Sequence, residues 1–253
     1  MKKVIWALVV LILLGVFGYS AWQLGSYYYV AYQQEKTVSE LREEITEDKK
    51  DPYEKNKDGI LKRYAKLYAK NHDMVGWLTI KDTPIDYPVM QSSKKEPEYY
   101  LHRDFNKKWA TAGTLFVDAD CDMERPSDNL IIYGHHMRNG SMFGKLQVYE
   151  KEEFYKKHKV FTFDTIREHR QYKVLSVFRA KAYSRGETKH FHYYDFVDAE
   201  DKEDFDSFVE QISKLSQHKT GVKAEYGDQL LTLSTCAYHT DQGRFVVVAK
   251  RIL

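Results

Sequence analysis

Between Lys3 and Glu35 no side chain carries a formal charge, and the stretch Val4–Trp22 (VIWALVVLILLGVFGYSAW) is nearly pure hydrocarbon. At about 1.5 Å per residue such a run makes a helix of roughly 28 Å, enough to cross a bilayer core. Residues 4–22 are therefore read as a membrane span. Lys2 and Lys3 hold residues 1–3 at the cytoplasmic face, and Tyr27, Tyr28 and Tyr29 fall where aromatic rings prefer the headgroup boundary. The remainder of the chain then lies outside the cell. The competing reading is a cleaved signal peptide, whose apolar region is usually about 7–15 residues. Here the run is longer and offers only Gly18-Tyr19-Ser20 as a poor cleavage site, so an uncleaved anchor is expected.

Residues 23–58 read as a stalk. From Gln33 to Asp58 the chain is rich in Glu and Lys, with Val38, Leu41 and Ile45 at helical spacing before Pro52, the pattern of a solvated spacer or short helix. The folded domain is placed at 59–253. Ile60, Leu61, Tyr64, Leu67 and Tyr68 fit one face of a helix packed on a core. Beyond Val75 the pattern changes to short runs at Trp77–Ile80, Asp86–Met90, Thr114–Val117, Leu130–Tyr133, Val160–Phe163, Tyr172–Ala182, Leu230–Thr235 and Phe245–Ile252. One clear helix interrupts them, with Phe205, Phe208, Val209, Ile212 and Leu215 at three- and four-residue steps. Eight short strands with few helices predict a mostly antiparallel barrel or sandwich. With 43% hydrophobic residues there is material for a real core, and a net charge of +2 gives no footprint for nucleic acid. Two cysteines exclude a disulfide framework.

Cys236 ends the run Leu230-Leu231-Thr232-Leu233-Ser234-Thr235, and after the loop 237–243 the chain re-enters strand at Arg244. If the two strands form a hairpin, a thiol and a guanidinium share one site, where the cation can lower the thiol pKa or stabilise an oxyanion. A base must come from elsewhere. Asn129-Leu130-Ile131-Ile132-Tyr133-Gly134-His135 delivers a histidine at the end of an apolar strand, 101 residues before the thiol. On residue types alone the bland readings stay open: a lone Cys is commonly an inert small hydrophobe, and a lone His a satisfied polar group. His136 and His239 are rivals for the base.

Thr232-Leu233-Ser234-Thr235-Cys236 followed eight residues later by Arg244, with Ile132-Tyr133-Gly134-His135 upstream and an N-terminal anchor, resembles the sortases, the cysteine transpeptidases of Gram-positive cell surfaces. Val75-Gly76-Trp77-Leu78-Thr79-Ile80, Ile85-Asp86-Tyr87-Pro88-Val89, Tyr99-Tyr100-Leu101, Tyr133–Met137 with Ser141-Met142-Phe143, and the helix near 205–215 are similar to class B members. The similarity spans about residues 60–253. It implies an eight-stranded sortase β-barrel with N-terminal helices and one helix between the sixth and seventh strands. It also implies Cys236 as nucleophile, His135 as general acid and base, and Arg244 as substrate holder and oxyanion donor. Ser234 and Tyr133 become substrate-pocket residues. The implied reaction cleaves a surface protein's Asn-Pro-x-Thr-x-like sorting signal, or a Ser or Pro variant of its first position, after the Thr. The acyl group then passes through a thioester to a peptidoglycan amine. Thiol, imidazole and guanidinium suffice for this chemistry, so no cofactor is expected. The rivals are a cysteine hydrolase on the same fold and a non-catalytic surface adhesion or scaffold domain.

His190-Phe191-His192 could put two imidazoles on one face, but no matching ligand spacing accompanies them, so no metal site is expected. Cys121, flanked by Asp118, Asp120 and Asp122, is the poorer nucleophile, and both thiols are expected free. Asp118, Asp120 and Asp241 read as turn residues, with Asp241 also a possible third member beside His135.

Overall fold

A computed structural model describes residues 2–46, 51–125, 127–183, 187, 189–236 and 242–253, with the backbone alone for Thr46 and Cys236. The chain divides into two compact units, Met1–Glu43 and Glu44–Leu253. The first consists of helix α1 (Lys2–Thr46), which ends just inside the second unit. Among the described residues it is the one helix long and apolar enough to cross a membrane, with a mean hydropathy of 2.4 over its most apolar stretch. The spacing of Val38, Leu41 and Ile45 is realised within this same helix.

The second unit is built on a closed barrel of eight strands in the order β1-β2-β3-β4-β7-β8-β6-β5. The strands are β1 (Met74–Thr79), β2 (Asp86–Met90), β3 (Leu115–Val117), β4 (Asn129–Gly134), β5 (Val160–Thr165), β6 (Gln171–Lys181), β7 (Leu230–Cys236) and β8 (Gly243–Arg251). Each overlaps its sequence-predicted run. Most neighbours are antiparallel, but β2–β3 and β4–β7 pair in parallel. Helix α2 (Lys62–Lys70) precedes the barrel and buries Tyr64 and Leu67. A short α3 (Glu152–Lys157), which periodicity did not reveal, lies between β4 and β5.

Helix α4 (Lys202–Leu215) occupies the connection between β6 and β7. Asp201 caps it by accepting from the Asp204 amide at 3.0 Å, and Glu203 and Asp204 place acid in the first turn, where the helix dipole favours it. Its buried Phe205, Phe208 and Ile212 join Tyr193 and Phe196 of the same connection in an apolar cluster over Leu230, Val246 and Val248. The connection is also pinned to the start of β4, since the Asn129 amide donates to the Val197 carbonyl and its side chain to the Phe196 carbonyl, each at 2.8 Å. Phe245 to Ala249 are therefore buried on both faces, one filling the barrel and the other lying beneath α4. That explains a near-continuous apolar run in place of alternation.

Candidate active site

Three neighbouring strands end at one rim. In the antiparallel β7–β8 ladder Cys236 pairs directly with Arg244. In the parallel β4–β7 ladder Tyr133 pairs with Ser234 and Gly134 with Thr235. One residue further along, His135 comes level with Cys236 and Arg244. With strands about 4.8 Å apart, the three Cα positions form a row of roughly 10 Å. Alternation places 133 and 135 of β4 and its extension, 234 and 236 of β7, and 244 of β8 at equivalent register positions on the sheet face that α4 and its flanking segment cover.

Gly134 is needed at the turn out of β4 because the space beside it is taken. A Cβ there would sit 2.4 Å from Leu115 Cδ2 and 2.7 Å from Phe143 Cδ2. The next residue, His135, is half-buried, and its Nε2 lies 3.0 Å from the Leu101 carbonyl oxygen. A carbonyl only accepts, so Nε2 carries the proton and Nδ1 is the nitrogen that exchanges one. Burial is the main cause holding the imidazole below its ordinary pKa. His102 adds to this, while the bond to Leu101 opposes it. The Arg244 guanidinium donates from Nη1 to the Gly243 carbonyl at 3.0 Å and, among the described residues, pairs with no carboxylate. Its remaining donors suit a negatively charged oxygen.

The two pocket candidates are engaged from behind. Ser234 is 1% exposed, and its Oγ lies 2.7 Å from the Tyr193 hydroxyl. The Tyr133 hydroxyl donates to Asp118 at 3.0 Å, and its ring lies against Phe116. Asp118 also accepts from the Asp120 amide, the turn role read for it in the sequence. His136 forms an isolated bridge with Met142. His239 and Asp241 fall outside the described residues. His190 and His192 both meet the Glu187 carboxylate, at 3.0 and 3.3 Å. Cys121 is free and buried, and burial, reinforced by Asp118, pushes its thiol up to about 12.

Sequence reasoning missed the Leu101 carbonyl and Tyr193. A backbone acceptor leaves no compositional trace, and Tyr193 is one of 20 tyrosines, in a segment without periodicity. A sequence model described as the Sortase domain matches residues 78–252. The chain is 33% identical over 245 residues to Sortase B of Listeria monocytogenes, covering 96% of this chain and 94% of the relative. It is 32% identical over 200 residues to Sortase B of Staphylococcus aureus, covering 78% of each. Among solved structures, sortase B from Bacillus anthracis in complex with AAEK1 superposes with a TM-score of 0.76 at 33% identity, over 88% of this chain and 98% of that one. The Staphylococcus aureus sortase B–substrate complex superposes with a TM-score of 0.76 at 28% identity, over 88% and 97%. A match over most of the barrel, joined to a relative one-third identical along nearly the whole length, means that this chain belongs to the sortase family, class B, and is a cysteine transpeptidase.

Proposed function

We propose that the chain is a membrane-anchored sortase that cuts an Asn-Pro-x-Thr-x-like signal after the Thr and joins the new carboxyl end to a peptidoglycan amine. The observation that carries this reading is the register of β4, β7 and β8, which brings His135, Cys236 and Arg244 level at one rim. In the first step the Cys236 thiolate attacks the Thr carbonyl carbon while Arg244 donates to the developing oxyanion. Protonated His135 gives its Nδ1 proton to the departing amine, the C–N bond breaks, and a thioester remains. In the second step His135 takes a proton from the incoming amine, which attacks the thioester carbon. A new amide forms and the thiolate leaves. Ser234 and Tyr133, fixed from behind by Tyr193 and Asp118, shape the pocket wall.

The anchor reading is supported by the exposed side chains of α1, where Trp6, Leu11, Phe17 and Trp22 all present hydrocarbon outward, a surface suited to lipid. Residues 1–3 stay cytoplasmic, 23–58 serve as stalk, and the barrel of 59–253 stands outside. Both substrates then reach an enzyme held at the same membrane face.

The test uses the full chain in detergent micelles with a peptide of the Asn-Pro-x-Thr-x form, with and without a short peptide that offers a free amine. Mass spectrometry is expected to find a hydroxylamine-sensitive adduct on Cys236 and an amide product that requires the amine. Cleavage at another bond, an adduct elsewhere, or water as the acceptor in both arms overturns the proposal.

A further inference from the structure

The 3-10 turn Tyr99–His102 brings two groups to His135. One is the Leu101 carbonyl already described. The other is the His102 ring, whose centroid is 5.3 Å from that of His135 at an interplanar angle of 35°. Behind His102 the Trp109 indole stacks at 5.1 Å and 22°. The backbone builds this three-ring row. Arg103 and Trp109 form an isolated antiparallel bridge, the Ala110 amide donates to the His102 carbonyl at 3.1 Å, and Asp104 exchanges backbone and side-chain bonds with Lys108, each at 2.8 Å. The Arg103 guanidinium lies 5.7 Å from the indole and 5.5 Å from the Tyr99 ring.

The His102 Nδ1 is buried and has no hydrogen-bond partner among the described residues. A buried ring nitrogen without a partner is destabilising, and a phenyl ring would fill the space without that cost. What the position provides is a flat ring set against the His135 imidazole, a contact a phenyl ring would also supply. Around His135 the ionisable residues are His102 from the 3-10 turn, Cys236 of β7, Arg244 of β8 and Tyr133 of β4. Asp118 is taken up by Tyr133, and Arg103 lies against Tyr99 and Trp109. Among the described side chains, His102 opposes a positive charge on His135.

Resting on the assignment of His135 as acid and base, we propose that His102, backed by Trp109, is a positioning residue of the acyl transfer. It holds the plane of the His135 ring so that Nε2 stays on the Leu101 carbonyl and Nδ1 is presented to the end of β7. The row also extends to the surface, because Trp109 is 67% exposed. A change at Trp109 therefore reaches the imidazole through His102 without touching it.

The experiment measures kcat and KM for peptide transpeptidation by the full chain in micelles, together with the His135 titration midpoint by imidazole NMR. Misplacing a reacting group costs up to about 10²-fold. His102→Ala is expected to lower kcat about tenfold and Trp109→Ala about threefold, on the order expected for partial loss of orientation, with KM within about twofold. His102→Phe restores ring bulk and is expected to recover kcat to within about threefold, while the His135 midpoint rises because the neighbouring charge is gone. A kcat within about twofold of the parent for both alanine variants, or an unmoved midpoint in His102→Phe, overturns the proposal. If His102→Ala fails to fold, Trp109→Ala decides the kinetic arm alone. His135→Ala, run alongside, separates the two levels. Turnover in that variant sinks the acid–base assignment itself, whereas loss there with normal rates at His102 and Trp109 sinks only the positioning role.

Discussion

Replacing Gly134 with Ala adds one methyl at the point where β4 hands the chain to His135. That carbon would meet Leu115 Cδ2 at 2.4 Å and Phe143 Cδ2 and Cγ at 2.7 and 2.9 Å, whereas carbon atoms rest comfortably at about 3.5–4.0 Å. Leu115 can swing its far end aside, but Phe143 is fully buried and its ring must translate by roughly 1 Å. The Phe143 amide donates to the His135 carbonyl at 2.9 Å, so a displaced Phe143 pulls on the histidine. Overpacking of this kind costs about 1–3 kcal/mol. In a domain of this size each kcal/mol lowers Tm by about 2–4 °C, which gives an expected drop of about 2–12 °C. The kinetic effect should be larger, because a shift of about 1 Å in a proton-transferring group costs up to about 10²-fold in kcat. Gly76→Ala is the control. Its Cβ would lie 2.2 Å from the Asp164 backbone oxygen, yet β1 is four strands from β7 in either direction round the barrel. Calorimetry and active-site-titrated turnover should find both variants less stable and only Gly134→Ala slow per folded molecule. A destabilised Gly134→Ala that keeps full kcat would refute the coupling of Gly134 to His135.

Four further outcomes are expected. Cys236→Ala should abolish turnover, and Arg244→Lys should lower kcat/KM by about tenfold or more, since a point charge lacks the guanidinium's fork of donors; near-normal rates in the lysine variant would mean that charge alone suffices. Iodoacetamide at pH 8 should label one cysteine of the native chain, Cys236, because Cys121 is buried with its thiol pushed up to about 12; peptide mapping that finds carboxamidomethyl on Cys121 would contradict this. Burial tends to raise the Asp73 carboxyl, but hydrogen bonds from Lys107 and Tyr100 outweigh it and hold the group below its ordinary value. Its contribution to stability is then complete above the unfolded carboxylate pKa and is lost as the pH falls through the lower folded value. Lys107→Ala should flatten the acid limb of a Tm–pH curve, and an unchanged limb would dismiss the pair.

Much of the site was legible along the chain because strands announce their own ends. The apolar run 230–235 stops at Cys236, and the run 130–133 stops at Gly134 before His135. Less visible was what stands behind those residues. The Tyr193 hydroxyl reaches Ser234 across 41 positions, and the Leu101 carbonyl reaches His135 across 34. Neither partner belongs to a periodic pattern, and a carbonyl is common to every residue. The expectation of a mostly antiparallel barrel held, but periodicity carries no sign for strand direction. The parallel β4–β7 pairing that sets His135 beside Cys236 could not be read from alternation.

Local sequence determined the apolar N-terminal helix, the positions of the strands, the periodicity of α4, and which residue types stand at the ends of β4, β7 and β8. These follow from neighbouring side chains, whose period and turn chemistry act over a few residues. Barrel closure decided the rest: that β4 runs beside β7, that three rim positions come level, and that the 3-10 turn at Tyr99–His102 clamps the imidazole. Such contacts join residues far apart in the chain, and they exist only after burial of the apolar faces has offset the entropy of bringing distant segments together.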